Sequence, residues 1–141
     1  HSLIGTPNHV EGVKRTGRAR SINRRKFDVD EIRAMLADDS PQYRVLDGYR
    51  RLLAVRTRQP AFHPDGPQQV VRLSQPGLLG FFRTSPDRRQ TLLILANVGP
   101  QPTAVDIRAV AGRAPRGDLL GGSLRDDTIE LIPCQVAWLE V

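Results

Sequence analysis

At 141 residues, the chain has room for one medium domain, or for a small domain and a piece of another. Its formal charge of +6 comes from 21 Lys and Arg against 15 Asp and Glu, and no apolar run is long enough to indicate a membrane segment. A single cysteine excludes an internal disulfide and, without spaced histidines, a zinc site. The sequence therefore predicts a cytoplasmic protein with no metal and no cofactor.

The positive charge is concentrated in residues 12–26. Seven of these fifteen residues are Lys or Arg and none is acidic, so the remainder of the chain is almost neutral. One interpretation is a solvated arm that attracts any polyanion, including nucleic acid. However, Thr16-Gly17 and Ser21-Ile22-Asn23 interrupt the charges with turn-forming residues, and no aromatic residue is interleaved to stack on bases. We therefore expect an ordered loop and no specific nucleic acid partner.

The first 62 residues are predicted to contain a loop and two helices. Residues 1–27 show no apolar periodicity, which indicates an extended loop of the active-site type. An acidic capping box that begins at Asp28 predicts a short helix over residues 28–38. Ser40-Pro41 starts a second, longer helix, which continues at helical apolar spacing to about residue 58.

The pattern changes near residue 63 to short apolar runs separated by Pro, Gly, Asn and Asp, which predicts an antiparallel all-β sandwich over residues 63–141. The predicted strands are 69–73, 78–84, 91–97, 103–107, 118–120, 128–132 and 135–141. Residues 91–95 are apolar on both faces and should form the central strand. Trp138 is expected in the core between two sheets, because the chain has too few aromatic residues for a sugar-stacking surface. Cys134 is expected to be a packed strand thiol.

The chain offers no convincing catalytic pair. Retaining glycoside chemistry needs two carboxyl groups about 5 Å apart. The acid pairs Asp38-Asp39 and Asp126-Asp127 occupy predicted turns without a neighbouring histidine, and no Gly-rich phosphate loop occurs. We therefore expect the chain alone to be inactive, with no catalytic residue of its own.

The beginning of the chain resembles the last barrel segment of the sucrose phosphorylase subfamily of the α-amylase superfamily. The matching residues, in order and spacing, are His1-Ser2-Leu3-Ile4-Gly5-Thr6-Pro7-Asn8, Glu11-Gly12-Val13, Thr16-Gly17 and Arg20-Ser21-Ile22-Asn23-Arg24. A weaker resemblance continues through Gln59-Pro60-Ala61-Phe62-His63-Pro64 to Leu131-Ile132-Pro133. The resemblance as a whole implies that the chain is a C-terminal fragment of such an enzyme and that its fold is of the α+β class. In this fragment, residues 1–62 would end a (β/α)₈ catalytic barrel, and residues 63–141 would form a C-terminal β-sandwich domain.

The resemblance also implies an activity, which is retaining transfer of a glucosyl group from an α-glucoside to inorganic phosphate. The nucleophile and the acid/base would lie in the preceding barrel, so the rest of that barrel is an implied partner. Arg20 matches the family's arginine of the glucosyl subsite, where a planar guanidinium can hold two neighbouring hydroxyls. Asn23 and Arg24 would support the loop, with Asn23 bonding loop backbone and Arg24 pairing with a barrel acid.

Two departures from sucrose phosphorylases argue against sucrose itself as the substrate. His9 replaces their usual Asp, and Lys26-Phe27 replaces an aromatic pair. The motif is more similar to relatives that phosphorolyse glucosylglycerate or sucrose phosphate, whose anionic acceptors would favour added cations such as Lys14, Arg15 or Arg18. The alternative interpretation of the whole chain is a stand-alone β-sandwich module with a basic arm, for carbohydrate binding or another interaction.

Overall fold

A computed structural model describes residues 1–37 and 39–141 of the chain. These residues form two compact units, His1–Leu53 and Ala54–Val141. The first unit is helical, and the second contains antiparallel sheets, so the predicted α+β class is confirmed at this level. Within the described ranges, no helix is long and apolar enough to cross a membrane.

The first unit begins with short helical segments where an extended loop was predicted. They are a 3₁₀ helix at Ser2–Ile4, helix α1 at Val10–Thr16 and a second 3₁₀ helix at Ala19–Asn23. Helix α1 has Glu11 in its first turn and Lys14 in its last, where each charge is favourable to the helix dipole. It ends at Gly17, which adopts φ 64° and donates its N–H to the Val13 carbonyl at 2.8 Å. The extended-loop prediction is therefore wrong.

Two further helices follow, as predicted. Helix α2 spans Val29–Met35 and begins where the Asp28 carboxylate accepts the Glu31 backbone N–H at 2.7 Å. Its predicted end at residue 38 lies outside the described residues. Helix α3 spans Pro41–Arg56, and the Ser40 hydroxyl accepts the Tyr43 backbone N–H at 3.0 Å. The sequence pattern thus located both helix starts correctly.

The second unit contains eight strands in two antiparallel sheets. The larger sheet has the order β1-β2-β3-β8-β5 and the smaller sheet the order β4-β7-β6. The strands are β1 Gln68–Val71, β2 Leu78–Thr84, β3 Thr91–Asn97, β4 Thr103–Asp106, β5 Gly117–Asp118, β6 Leu124–Arg125, β7 Thr128–Leu131 and β8 Val136–Glu140. The bounds of β2 and β3 equal those predicted. Ile107 was predicted to end a strand, but it begins helix α4, at Ile107–Ala111. The Asp106 carboxylate caps this helix by accepting the Ala109 N–H at 3.0 Å.

Strand β3 lies in the middle of the larger sheet, as predicted, and buries both of its faces. Leu93 and Leu95 belong to a hydrophobic cluster that also contains side chains of the smaller sheet, such as Ile129. Leu92 and Ile94 belong to a second cluster with Trp138, which is only 9% exposed. Trp138 is therefore a core residue. It lies on the opposite face of β8 from Ala137 and Leu139, because side chains alternate along a strand, so its predicted position between the sheets is wrong.

The connection between β7 and β8 places Cys134 in an unexpected environment. Cys134 is exposed and adopts φ 64°, and its N–H donates to the Asn97 carbonyl at 2.9 Å. The Asn97 side chain is buried and donates to the Leu131 carbonyl at 2.8 Å while accepting the Gly99 N–H at 2.9 Å. The prediction of a packed strand thiol is wrong, because the apolar residues around Cys134 flank a tight turn and not a continuous strand.

Candidate functional site

The first unit contains a cleft of about 420 Å³ between α1 and the residues that follow it. We call it the basic cleft, because four of its lining side chains are cationic and none is acidic. It is lined by His9, Gly12, Arg15, Thr16, Ser21, Arg24, Arg25 and Lys26. The segment that carries most of the chain's net charge therefore folds around a concave surface.

A hydroxyl network on Thr16 fixes one wall of the basic cleft. Thr16 Oγ1 donates its single proton to the Gly12 carbonyl at 2.7 Å, so it accepts the proton of Ser21 Oγ at 2.8 Å. The backbone N–H of Arg18 also donates to Thr16 Oγ1, at 3.3 Å. One side chain thus joins the end of α1 to the 3₁₀ helix that carries Arg20.

A second connection lies at the other end of α1. The His9 backbone N–H donates to the Ile22 carbonyl at 2.6 Å, and the His9 ring lies against Gly12. A β-carbon at position 12 would lie 2.8 Å from Cε1 of this ring, so a larger residue there would displace the His9 ring. The two connections hold the cleft-forming segments together without a hydrophobic core.

The cations of this unit differ in whether an acid neutralises them. Lys14 pairs with Glu11 at 2.8 Å, and Arg25 pairs with Glu31 while its guanidinium lies 4.6 Å from the centre of the Phe27 ring. The remaining acids that form ion pairs bond elsewhere, namely Asp30 to Arg33, Asp39 to Arg44 and Asp47 to Arg51. Five cations of the basic segment form no ion pair with any residue that the structure describes, namely Arg15, Arg18, Arg20, Arg24 and Lys26.

The three residues predicted for the site occupy different positions around the cleft. Arg20 is exposed and is not among the cleft-lining residues, whereas Arg24 is. Asn23 ends the 3₁₀ helix, and its side chain makes no hydrogen bond within residues 1–37 and 39–141. Thr16 bonds backbone groups in this segment, namely the Gly12 carbonyl and the Arg18 N–H. The sequence signal for this role was a threonine directly before the helix-ending Gly17.

The acid pairs of the sequence form no catalytic constellation among the described residues. Asp126 and Asp127 adopt φ 47° and 64° in the turn between β6 and β7, and Asp127 pairs with Arg108 at 2.8 Å. Asp39 also adopts a positive φ, and Asp38 lies outside the described residues. The described part of the chain holds no cluster of His, Cys, Asp and Glu suited to a metal ion.

Three curated relatives of the chain are glucosylglycerate phosphorylases. The relative from Allomeiothermus silvanus is 31% identical over 140 residues, which cover 99% of this chain and 23% of the relative. The Escherichia coli K12 relative is 30% identical over 142 residues, which cover 99% of this chain and 24% of the relative. The Spirochaeta thermophila relative is 38% identical over 99 residues, which cover 70% of this chain and 17% of the relative. This chain therefore spans less than a quarter of the length of the curated relatives it matches. No family model matches it.

Solved structures with a similar fold include a trehalulose synthase and a debranching enzyme. Trehalulose synthase MutB from Pseudomonas mesoacidophila MX-45 has a TM-score of 0.55 at 20% identity, over 68% of this chain and 17% of that chain. A debranching enzyme from Nostoc punctiforme has a TM-score of 0.52 at 22% identity, over 70% of this chain and 20% of that chain. These structures support the fold alone. The glucosylglycerate phosphorylases confirm the resemblance of the chain to sucrose phosphorylase-like glycoside phosphorylases.

Proposed function

We propose that the chain is the C-terminal part of an α-glucoside phosphorylase that transfers the glucosyl group of glucosylglycerate to inorganic phosphate with retention. The observation that carries this proposal is the similarity to glucosylglycerate phosphorylases over 99% of the chain. Arg20 supports it from the sequence, because it matches the family's glucosyl-subsite arginine in the motif Arg20-Ser21-Ile22-Asn23-Arg24. The single cysteine favours the cytoplasm as its location.

Residues 1–62 are proposed to complete a (β/α)₈ barrel. In the first unit, no described side chain is fully buried, and Val45, Tyr49 and Leu52 form an exposed apolar stripe along one face of α3. Such a stripe needs a partner layer. We assign that role to the rest of the barrel, because the curated relatives extend over more than four times the matched length.

Residues 63–141 are proposed to form the C-terminal β-sandwich domain. The supporting observation is the hydrophobic cluster that side chains of both sheets share, with Leu93 and Leu139 from the larger sheet and Val105 and Leu131 from the smaller one. Two antiparallel sheets with a common interior are typical of a sandwich. The comparisons with known proteins do not favour the alternative of a stand-alone binding module, since all three curated relatives are enzymes.

Phosphorolysis by the protein at its natural length tests the proposal. We expect release of α-glucose 1-phosphate from glucosylglycerate and phosphate, and lower turnover with sucrose as the donor. The 141-residue chain alone should release none, because the catalytic carboxylates are proposed to lie elsewhere in the barrel. Product formation by the 141-residue chain, or no glucose 1-phosphate from the natural protein, would contradict the proposal.

Arg20 provides the sharpest test of the subsite. Arg20→Ala should lower kcat/KM by about 10²-fold, because a hydrogen bond to a charged group is worth about 1.5–3 kcal/mol and its loss leaves a partner unpaired. Arg20→Lys should restore little, since an ammonium group lacks the planar fork. Arg18→Ala is the matched control from the same exposed segment. Equal losses at both positions, removed by added salt, would mean that the segment acts only through its general charge.

A further inference from the structure

The basic cleft has a charge that the described chain does not balance. Arg15, Arg24 and Lys26 line it, and none of them forms an ion pair with a residue that the structure describes. The protons of the two lining hydroxyls are already donated within the chain, from Thr16 to Gly12 and from Ser21 to Thr16, so the three cations supply the donors for a ligand. We propose that the basic cleft is a binding site for a small oxyanion, with a phosphate or a carboxylate group as the ligand.

The shape and the chemistry of the cleft fit this class of ligand. Its volume of about 420 Å³ exceeds the roughly 30 Å³ share of one water molecule many times, so it can hold a multi-atom anion with some of its water. Guanidinium groups bind carboxylate and phosphate through paired N–H donors, and Lys26 adds a mobile positive charge. No carboxylate lines the cleft to compete for these donors.

The other cations of residues 12–26 either form ion pairs or lie outside the cleft, which limits the residues that can contact an anion there. Lys14 is bonded to Glu11, and Arg25 is held between Glu31 and the Phe27 ring. Arg18 and Arg20 carry no such partner, but neither lines the cleft. Of the three cations that the sequence suggested for an anionic acceptor, only Arg15 is positioned to contact an anion in the cleft.

The choice of probes rests on the proposed function, which supplies two oxyanions. One is inorganic phosphate. The other is glycerate, which is released from glucosylglycerate and carries a carboxylate group. A competing occupant is a protein carboxylate, such as the barrel acid that the family resemblance pairs with Arg24. The experiment therefore separates three sources of negative charge.

Isothermal titration calorimetry at constant ionic strength, on the protein at its natural length, is the test. Sodium phosphate and sodium glycerate are titrated separately into wild type, Arg15→Ala and Lys26→Gln. We expect each variant to bind one of the two anions about 10-fold or more weakly, because a charge-assisted hydrogen bond is lost. Arg18→Ala is the matched control and should change either affinity less than about twofold. The affected anion identifies the source.

Several outcomes would overturn the inference. One is unchanged affinity for both anions in Arg15→Ala and Lys26→Gln. Another is an equal loss in Arg18→Ala, which would indicate diffuse attraction. A third is a lower Tm in the cleft variants without any change in anion affinity, which would identify a protein carboxylate as the occupant. Phosphorolysis by wild type is measured in parallel, because its absence would refute the proposed function and leave the calorimetric result to decide the anion site.

Discussion

The two units of the chain differ in how far their apolar side chains are buried. In the first unit, Val45, Tyr49 and Leu52 are 37–43% exposed along one face of α3, whereas Leu93 and Leu95 in β3 are fully buried. All buried hydrophobic residues of the described chain lie between Ala61 and Leu139. Both regions contain apolar residues at regular spacing, so the spacing alone does not decide burial. No hydrophobic side chain is buried among the described residues of the first unit, while the two sheets of the second unit enclose an interior.

The largest effect that would test this comparison is separation of the units. Residues 54–141 alone should unfold cooperatively in urea, because every residue of both hydrophobic clusters lies within this range. Residues 1–53 alone should lose circular dichroism gradually, without a sigmoidal transition, because short helices without packing are marginal in water. A cooperative transition in residues 1–53 would show that this unit stabilises itself.

A pair of leucine substitutions sharpens the comparison. Leu93→Ala should lower the free energy of unfolding of the 141-residue chain by about 3 kcal/mol, because it removes a fully buried side chain and leaves a cavity. Leu52→Ala should cost less than about 1 kcal/mol in the same chain, since Leu52 is partly exposed. In the protein at its natural length, the cost of Leu52→Ala should rise to about 2 kcal/mol. An unchanged cost would mean that nothing covers this face of α3.

A smaller effect on activity is expected from substitution of Thr16, whose hydroxyl connects helix α1 to the 3₁₀ helix at Ala19–Asn23. Thr16→Val should lower kcat/KM of the natural-length protein by about 10-fold, because it removes the link to Ser21 and lets the 3₁₀ helix shift. Thr16→Ser retains the hydroxyl and should restore most of the activity. If Thr16→Ser lost activity while Thr16→Val retained it, the methyl group and not the hydrogen bonds would be the important feature.

The smallest expected effect lies in the turn between β2 and β3. Hydrogen bonds from the Ser85 hydroxyl, at 2.6 Å, and the Arg89 backbone N–H lower the pKa of Asp87 from its ordinary value of 3.8. A lowered pKa means that the ionised carboxylate stabilises the fold above pH 3.8 and that this contribution disappears as the pH falls below it. The Tm of wild type should therefore slightly exceed that of Asp87→Asn at neutral pH, and this difference should shrink as the pH falls below 3.8. A constant difference across this range would contradict the assignment to Asp87 ionisation.

Sequence patterns predicted the second unit better than the first because strands and turns there are marked locally. The apolar runs of β2 and β3 are bounded by Pro, Gly and Asp residues, so their limits were correct. Ile107 was misassigned because Val105 and Ile107 continue a strand alternation, while the chain turns into α4 at Asp106. The face that Trp138 occupies also depends on which layer covers each side of the larger sheet, and no local pattern records that.

The candidate site was predicted only in part for a related reason. The charges of residues 12–26 and the position of Arg24 were visible in the sequence, and Arg24 lines the basic cleft. The contact between Thr16 and Ser21 depends on the turn at Gly17, which brings together hydroxyls five residues apart. The sequence also does not show which cations form ion pairs, because this depends on where the side chains of Glu11 and Glu31 lie in the fold.

The central position of β3 has a consequence for hydrogen exchange. Residues Leu92–Ala96 face paired residues of β2 on one side and of β8 on the other. Their amide hydrogens can therefore reach deuterated solvent only when the larger sheet opens, whereas those of β1 at the sheet edge exchange through local fraying. The slowest amides of β3 thus report the opening free energy of the second unit directly, even when the chain forms part of a longer polypeptide.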